Sequence, residues 1–141
     1  MTDVTSGAAG RNWWNIGLWV AQVLLAAFYG FAGFSKVSQP MDALAAMGMT
    51  YAVDYPDLLT RFVGTMELLG AVGIILPALT RIMPGLTPLA AVGFSVIQVL
   101  AIGLHAMRGE TGQTLPINLV ALSLSLFVLW GRTRKAPISP R

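Results

Sequence analysis

Four stretches of this chain are long and apolar enough to cross a bilayer as helices, and the segments between them hold almost all of its charge. They run over about residues 16–34, 61–79, 88–107 and 115–130. A bilayer is spanned by a helix of ~17–25 residues, and only helices or closed barrels satisfy their backbone groups there. The pattern predicts an all-α integral membrane four-helix bundle, one domain over residues 1–141, with both termini on the same side. Composition agrees, at 55% hydrophobic and 11% charged residues. A soluble domain carries about 25% charged residues.

Several chemistries are excluded at once. There is no cysteine, so disulfides and thiolate centres are out, and a single histidine rules out a multi-His metal site. No metal site is expected. The formal net charge of +3 arises from basic residues flanking apolar blocks, which suits lipid headgroups and topology, not nucleic acid. The first block follows Arg11, is longer than a signal-peptide core and lacks a clear small-x-small site after it. It is expected to be a retained helix.

Met1 to Arg11 reads as a loose polar tail, followed by Trp13 and Trp14 at an interfacial position. Thr80–Thr87 and Gly109–Thr114 read as tight turns. Ser35–Thr60 is long, and within it Met41–Met47 is a short amphipathic helix candidate ended by Gly48. Connections of this length are functional or form a packed cap. Arg11, Arg81, Arg132, Arg134, Lys135 and Arg141 fall on the side of the termini, against Lys36, Arg61 and Arg108 on the other. The positive-inside rule then places both termini in the cytoplasm and the long loop outside.

The helices carry polar groups at steps of seven. The sets are Gln22, Tyr29 and Lys36; Thr60 and Glu67; Gln98 and His105; Asn118 and Ser125. Seven residues are nearly two turns, so each set lies on one face. Small residues share those faces, including Ala26, Gly33, Gly64, Ala71, Ala91 and Ser95, and allow close helix approach. Glu67 lies about 16 Å beyond Pro56 along the axis, near mid-membrane. Ionisable groups there normally face a bundle interior and mark function.

Two readings of the stripes compete. In one, the groups hydrogen-bond each other and hold the helices in register, at about 1 kcal/mol or less per bond. In the other they line a pocket. On the second reading Glu67, His105 and Tyr29 are the candidate catalytic residues, with Glu67 exchanging a proton. Lys36, Gln22, Gln98 and Asn118 are the candidate substrate-binding residues. Lys36 has the alternative of snorkelling to headgroups.

Gly30-Phe-Ala-Gly33-Phe-Ser-Lys36-Val, closing the first helix, resembles the corresponding ending in DoxX-like membrane proteins. Val63-Gly64-Thr-Met-Glu67-Leu-Leu-Gly70-Ala71-Val-Gly73, followed by Pro77, is similar to their second-helix motif. The resemblance covers about residues 15–131 and implies a four-helix bundle in a bacterial-type inner membrane. Members of that family are associated with quinone-linked thiosulfate oxidation, with oxidative-stress complexes, or with no assigned chemistry. Lys36 and Glu67 are the positions the resemblance carries over.

Three functions follow as expectations. The first is an enzyme or enzyme subunit acting on a lipophilic, quinone-like small molecule. No cofactor motif lies in the chain, so a redox cofactor would be a diffusing quinone or belong to a partner. The second is a non-catalytic anchor in a redox or stress-related membrane complex. The third is a small transporter, which four helices would form only as a homo-oligomer.

Overall fold

The computed structural model describes residues 4–140, with side chains described from Trp13 onward except at residues 111 and 113. The described residues are mostly helical, with no strand among them. α1 runs from Val4 to Ser38, α2 from Met41 to Ala46, α3 from Asp57 to Thr80, α4 from Leu86 to Met107 and α5 from Thr111 to Trp130. A 3₁₀ turn over Thr50–Val53 follows α2, and a π-helical turn over Gly131–Lys135 continues α5. Four of these helices are long and apolar enough to cross a membrane. The segment from Val4 to Arg11, expected as a tail, is the first part of α1. Extending an existing helix costs far less than nucleating one, and this segment contains no proline to stop it. Residues 1–3 of the expected tail lie outside the described residues.

The long helices form a closed ring. α1 packs mainly on α3, α3 on α4, α4 on α5, and α5 returns to α1. The interior is built from Leu18, Leu25, Tyr29, Ile74, Phe94 and Val128, each at most 1% exposed. Phe31, Leu69, Leu89 and Leu100 face outward and are more than 60% exposed. Large apolar side chains on the outside, with Gln22, Lys36, Glu67 and Gln98 buried among the apolar ones inside, suit a lipid solvent.

Local chemistry explains the joints. Pro77 sits inside α3 and cannot donate to the carbonyl of Gly73. The Thr87 hydroxyl donates to that carbonyl instead, at 3.3 Å. Arg61 donates from Nη1 to the carbonyls of Lys36 and Gln39 at 2.8 and 2.7 Å. It thereby caps the end of α1 with a cation, where the helix dipole favours one. Gly48 takes φ +103°, ends α2 and turns the chain into the 3₁₀ segment. α2 and that segment form a cap over the loop end of the bundle, anchored by buried Leu44 and Ala52.

Candidate functional site

A close contact between α1 and α3 sets the site. Gly33 on α1 and Gly64 on α3 meet backbone to backbone, so that a Cβ at Gly33 would lie 2.7 Å from the Gly64 carbonyl oxygen. This approach brings the stem of Lys36 across α3 and turns its ammonium inward. Lys36 Nζ donates to both carboxylate oxygens of Glu67, at 2.7 and 2.9 Å. The two residues are 7% and 3% exposed. Lys36 therefore does not snorkel to the surface; its charge is spent inside.

Below the pair, toward the termini, Gln98 Nε2 donates to the Tyr29 hydroxyl. Tyr29 is fully buried and stacks on Phe94, with ring centroids 3.8 Å apart. Gln98 Oε1 has no partner among the described residues, and neither do Asn118 Nδ2 and Thr60 Oγ1, although all are buried. Each such group costs about 1–3 kcal/mol when left unmade. Ser125 spends its hydroxyl on the Ala121 carbonyl at 2.7 Å.

Above the pair, Tyr51 of the cap lies within electrostatic reach of the Lys36 ammonium. Burial pushes its phenol above the ordinary value, and the ammonium pulls the other way. The Tyr51 ring meets the His105 ring edge-on at 6.1 Å. His105 Nδ1 is 2.9 Å from Glu110 Oε2. Arg108 donates to Glu110 at 3.1 Å and to Asp54 at 2.6 Å, and Thr50 donates to Glu110 at 2.8 Å. Asp54, ahead of Glu110, keeps Arg108 protonated. These bonds clamp the cap to the turn between α4 and α5.

The clamp titrates in a definite direction. The His105 ring, then Thr50 and Arg108, hold the Glu110 carboxyl down at about 2, against an ordinary 4.5. A carboxyl depressed by folding steadies the fold above its unfolded value, and that contribution is lost as the pH falls through the folded value. The cap should hold undiminished above about pH 4.5 and loosen progressively toward about pH 2. Hydrogen exchange at residues 50–55, corrected for intrinsic rates, should lose protection across that interval and not above it.

The structure brings Glu67, Lys36, Tyr29 and Gln98 to one interior, with Asn118 on the neighbouring helix. It places His105 at the mouth, engaged with Glu110. Gln22 lies elsewhere, toward the termini. Its Nε2 donates to the Ile74 carbonyl at 2.7 Å and its Oε1 accepts from Arg132 at 2.7 Å. Sequence reasoning missed Arg132, which is only 4% exposed, along with Tyr51 and Glu110. The seven-residue step could have found Arg132, since it follows Asn118 and Ser125 at that spacing, as Asn15 precedes Gln22.

No curated protein and no solved structure matches this chain. The family model described as DoxX-like matches residues 20–128, which contain α1 from its middle onward, the cap, α3, α4 and nearly all of α5. With four spanning helices and that match over most of its length, the chain is a multi-pass membrane protein belonging to the DoxX-like family.

Proposed function

We propose that this protein binds a lipophilic small molecule with a hydrogen-bonding head, quinone-like in its chemistry, in the polar seam between the Lys36–Glu67 pair and Gln98. The observation that carries the reading is the mixed set of uncommitted polar groups buried in the same bundle interior as the pair. Gln98 Oε1 is an acceptor, Asn118 Nδ2 a donor and Thr60 Oγ1 either. Such a set suits a head that presents a carbonyl in one state and a hydroxyl in another. Glu67 is the group that would take or return the head's proton, and Lys36 positions its carboxylate. Tyr29, held by Gln98 and Phe94, would orient the head. Access would run through the cap, whose bonds to the α4–α5 turn are largely exposed. The proposed setting is a bacterial-type inner membrane with the cap outside and the termini in the cytoplasm.

The test is binding of a short-chain benzoquinone to the purified protein in lipid nanodiscs, followed by calorimetry. Glu67→Gln and Tyr29→Phe should each weaken binding about tenfold, the equivalent of one lost hydrogen bond to a polar head. Circular dichroism should show both variants folded. Wild-type protein that fails to bind, or two folded variants that bind as tightly as wild type, would overturn the proposal and leave the seam as a device for holding helices together.

A further inference from the structure

At the end of the bundle that carries the termini lies a second polar site, remote from the Lys36–Glu67 pair. A cleft of about 490 Å³ is walled by Asn15, Trp19, Arg81, Arg132, Ala136 and Ser139, among others. Arg132 is its centre. The π-helical turn after α5 swings this residue inward, and the absence of a Cβ at Gly131 lets the turn close on Leu18. Arg132 Nε donates to Gln22 Oε1, and Nη1 donates to Asn15 Oδ1 at 2.7 Å and to the Ala136 carbonyl at 3.0 Å. Nη2 is buried without a partner among the described residues. The guanidinium stands over the Trp19 ring, 5.7 Å from its centroid. Arg81 supplies a second guanidinium and donates from Nε to the Ser139 carbonyl at 2.9 Å.

Every described acceptor of these two arginines is neutral. The described carboxylates are elsewhere: Asp42, Asp54, Asp57 and Glu110 belong to the opposite end, and Glu67 is committed to Lys36. Among the described residues, the cleft thus holds two cations and no anion. Burying a charge without its counter-charge is costly, and a bound anion would offset that cost. Guanidinium forks match phosphate oxygens in particular.

The cleft has a neighbour. A groove of about 420 Å³ runs along the outer face of α1, lined by Asn15, Ile16, Trp19, Val20, Val23 and Leu24. It shares Asn15 and Trp19 with the cleft. From Ile16 to Leu24 it extends about 12 Å toward the membrane centre. A polar basic cleft beside an apolar groove of that direction, sharing two residues, suits a lipid: head in one, acyl chain along the other. We propose that the Arg81–Arg132 cleft and the α1 groove together bind one anionic phospholipid, its phosphate on the guanidiniums and an acyl chain along Val20 and Leu24. Basic pockets at a membrane surface bind anionic headgroups on these terms. The apolar groove favours a lipid over free phosphate, which would leave it unused.

The test uses the full chain in nanodiscs of equal phosphatidylglycerol and phosphatidylcholine, with native mass spectrometry of the lipid that stays bound. Wild type should retain phosphatidylglycerol about tenfold over phosphatidylcholine. Arg81→Gln, at an exposed position, should bring that ratio close to one, and Val23→Trp, which fills the groove, should lower retention of phosphatidylglycerol. Inorganic phosphate at millimolar concentration should not displace the lipid. Equal retention of the two lipids by wild type, or an unchanged ratio in Arg81→Gln, would overturn the site. Full displacement by inorganic phosphate would overturn the lipid as its occupant. Arg132→Gln removes the buried charge itself; where it fails to fold, the Arg81 and Val23 variants still decide.

Discussion

Lys36→Met is expected to destabilise the bundle by about 3–5 kcal/mol, whereas the double variant Lys36→Met/Glu67→Met is expected to return to within about 1 kcal/mol of wild type. Both side chains are almost fully buried, and the ammonium is bidentate to the carboxylate. Removing the cation alone leaves a buried carboxylate with no ion-pair partner among the described residues. Removing both charges leaves two flexible apolar chains of similar length that fill the same space. The large single effect and the small double effect come from one asymmetry: the pair adds little net stability, but half of it is costly. Reversible unfolding in mixed micelles, read as a double-mutant cycle, measures this. Additive costs in the double variant would mean that each side chain is held by separate contacts and that the ion pair carries no special coupling. The cycle also bears on function. A pair that adds little net stability leaves room for a role other than holding the fold, such as the proposed proton exchange at Glu67.

The ring of four helices follows from the apolar blocks, because a backbone in lipid has few other ways to satisfy itself. The polar stripes were equally legible. They extend further than the apolar blocks suggest, along Asn15–Gln22–Tyr29–Lys36 and Asn118–Ser125–Arg132, and Arg81 lies two such steps beyond Glu67. Spacing alone does not say where each stripe divides. Gln22 shares a face with Tyr29, yet its hydrogen bonds go to Ile74 and Arg132, two turns away from Glu67. The inward turn of Lys36 was not legible either, since a lysine at a helix end can reach either way. The Gly33–Gly64 contact decides it by placing the lysine stem against α3. Arg132 read as a topological charge because it stands beyond the last apolar block, although it continues the seven-residue step of Asn118 and Ser125; the π-helical turn that buries it lies past the apolar block itself. Tyr51, Thr50 and Glu110 meet through loops far apart in sequence, and neither pattern nor propensity relates such positions.

Gly64→Ala should cost about 1–3 kcal/mol, an overpacking effect far beyond what one methyl group does on an open helix face. A Cβ on Gly64 would lie 2.5 Å from the Lys36 Cβ and 3.0 Å from the Gly33 carbonyl oxygen. Neither neighbour can rotate away, because one is backbone and the other is fixed to it. Relief requires α1 and α3 to separate along their most extensive contact. Gly30, Gly93 and Gly103 provide the internal control: a Cβ at each meets nothing within 4 Å. Alanine there removes only the entropic cost of glycine and should be neutral or stabilising by up to about 1 kcal/mol. The Gly64 effect should also be coupled to the ion pair. The added methyl displaces the Lys36 stem, so part of its cost is a strained or broken contact with Glu67. In the Lys36→Met/Glu67→Met background that part is gone, and Gly64→Ala should cost measurably less than in wild type. An equal cost in both backgrounds would show that Gly64 sets helix spacing alone. A smaller cost in the uncharged background would show that the glycine contact is what turns Lys36 inward onto Glu67.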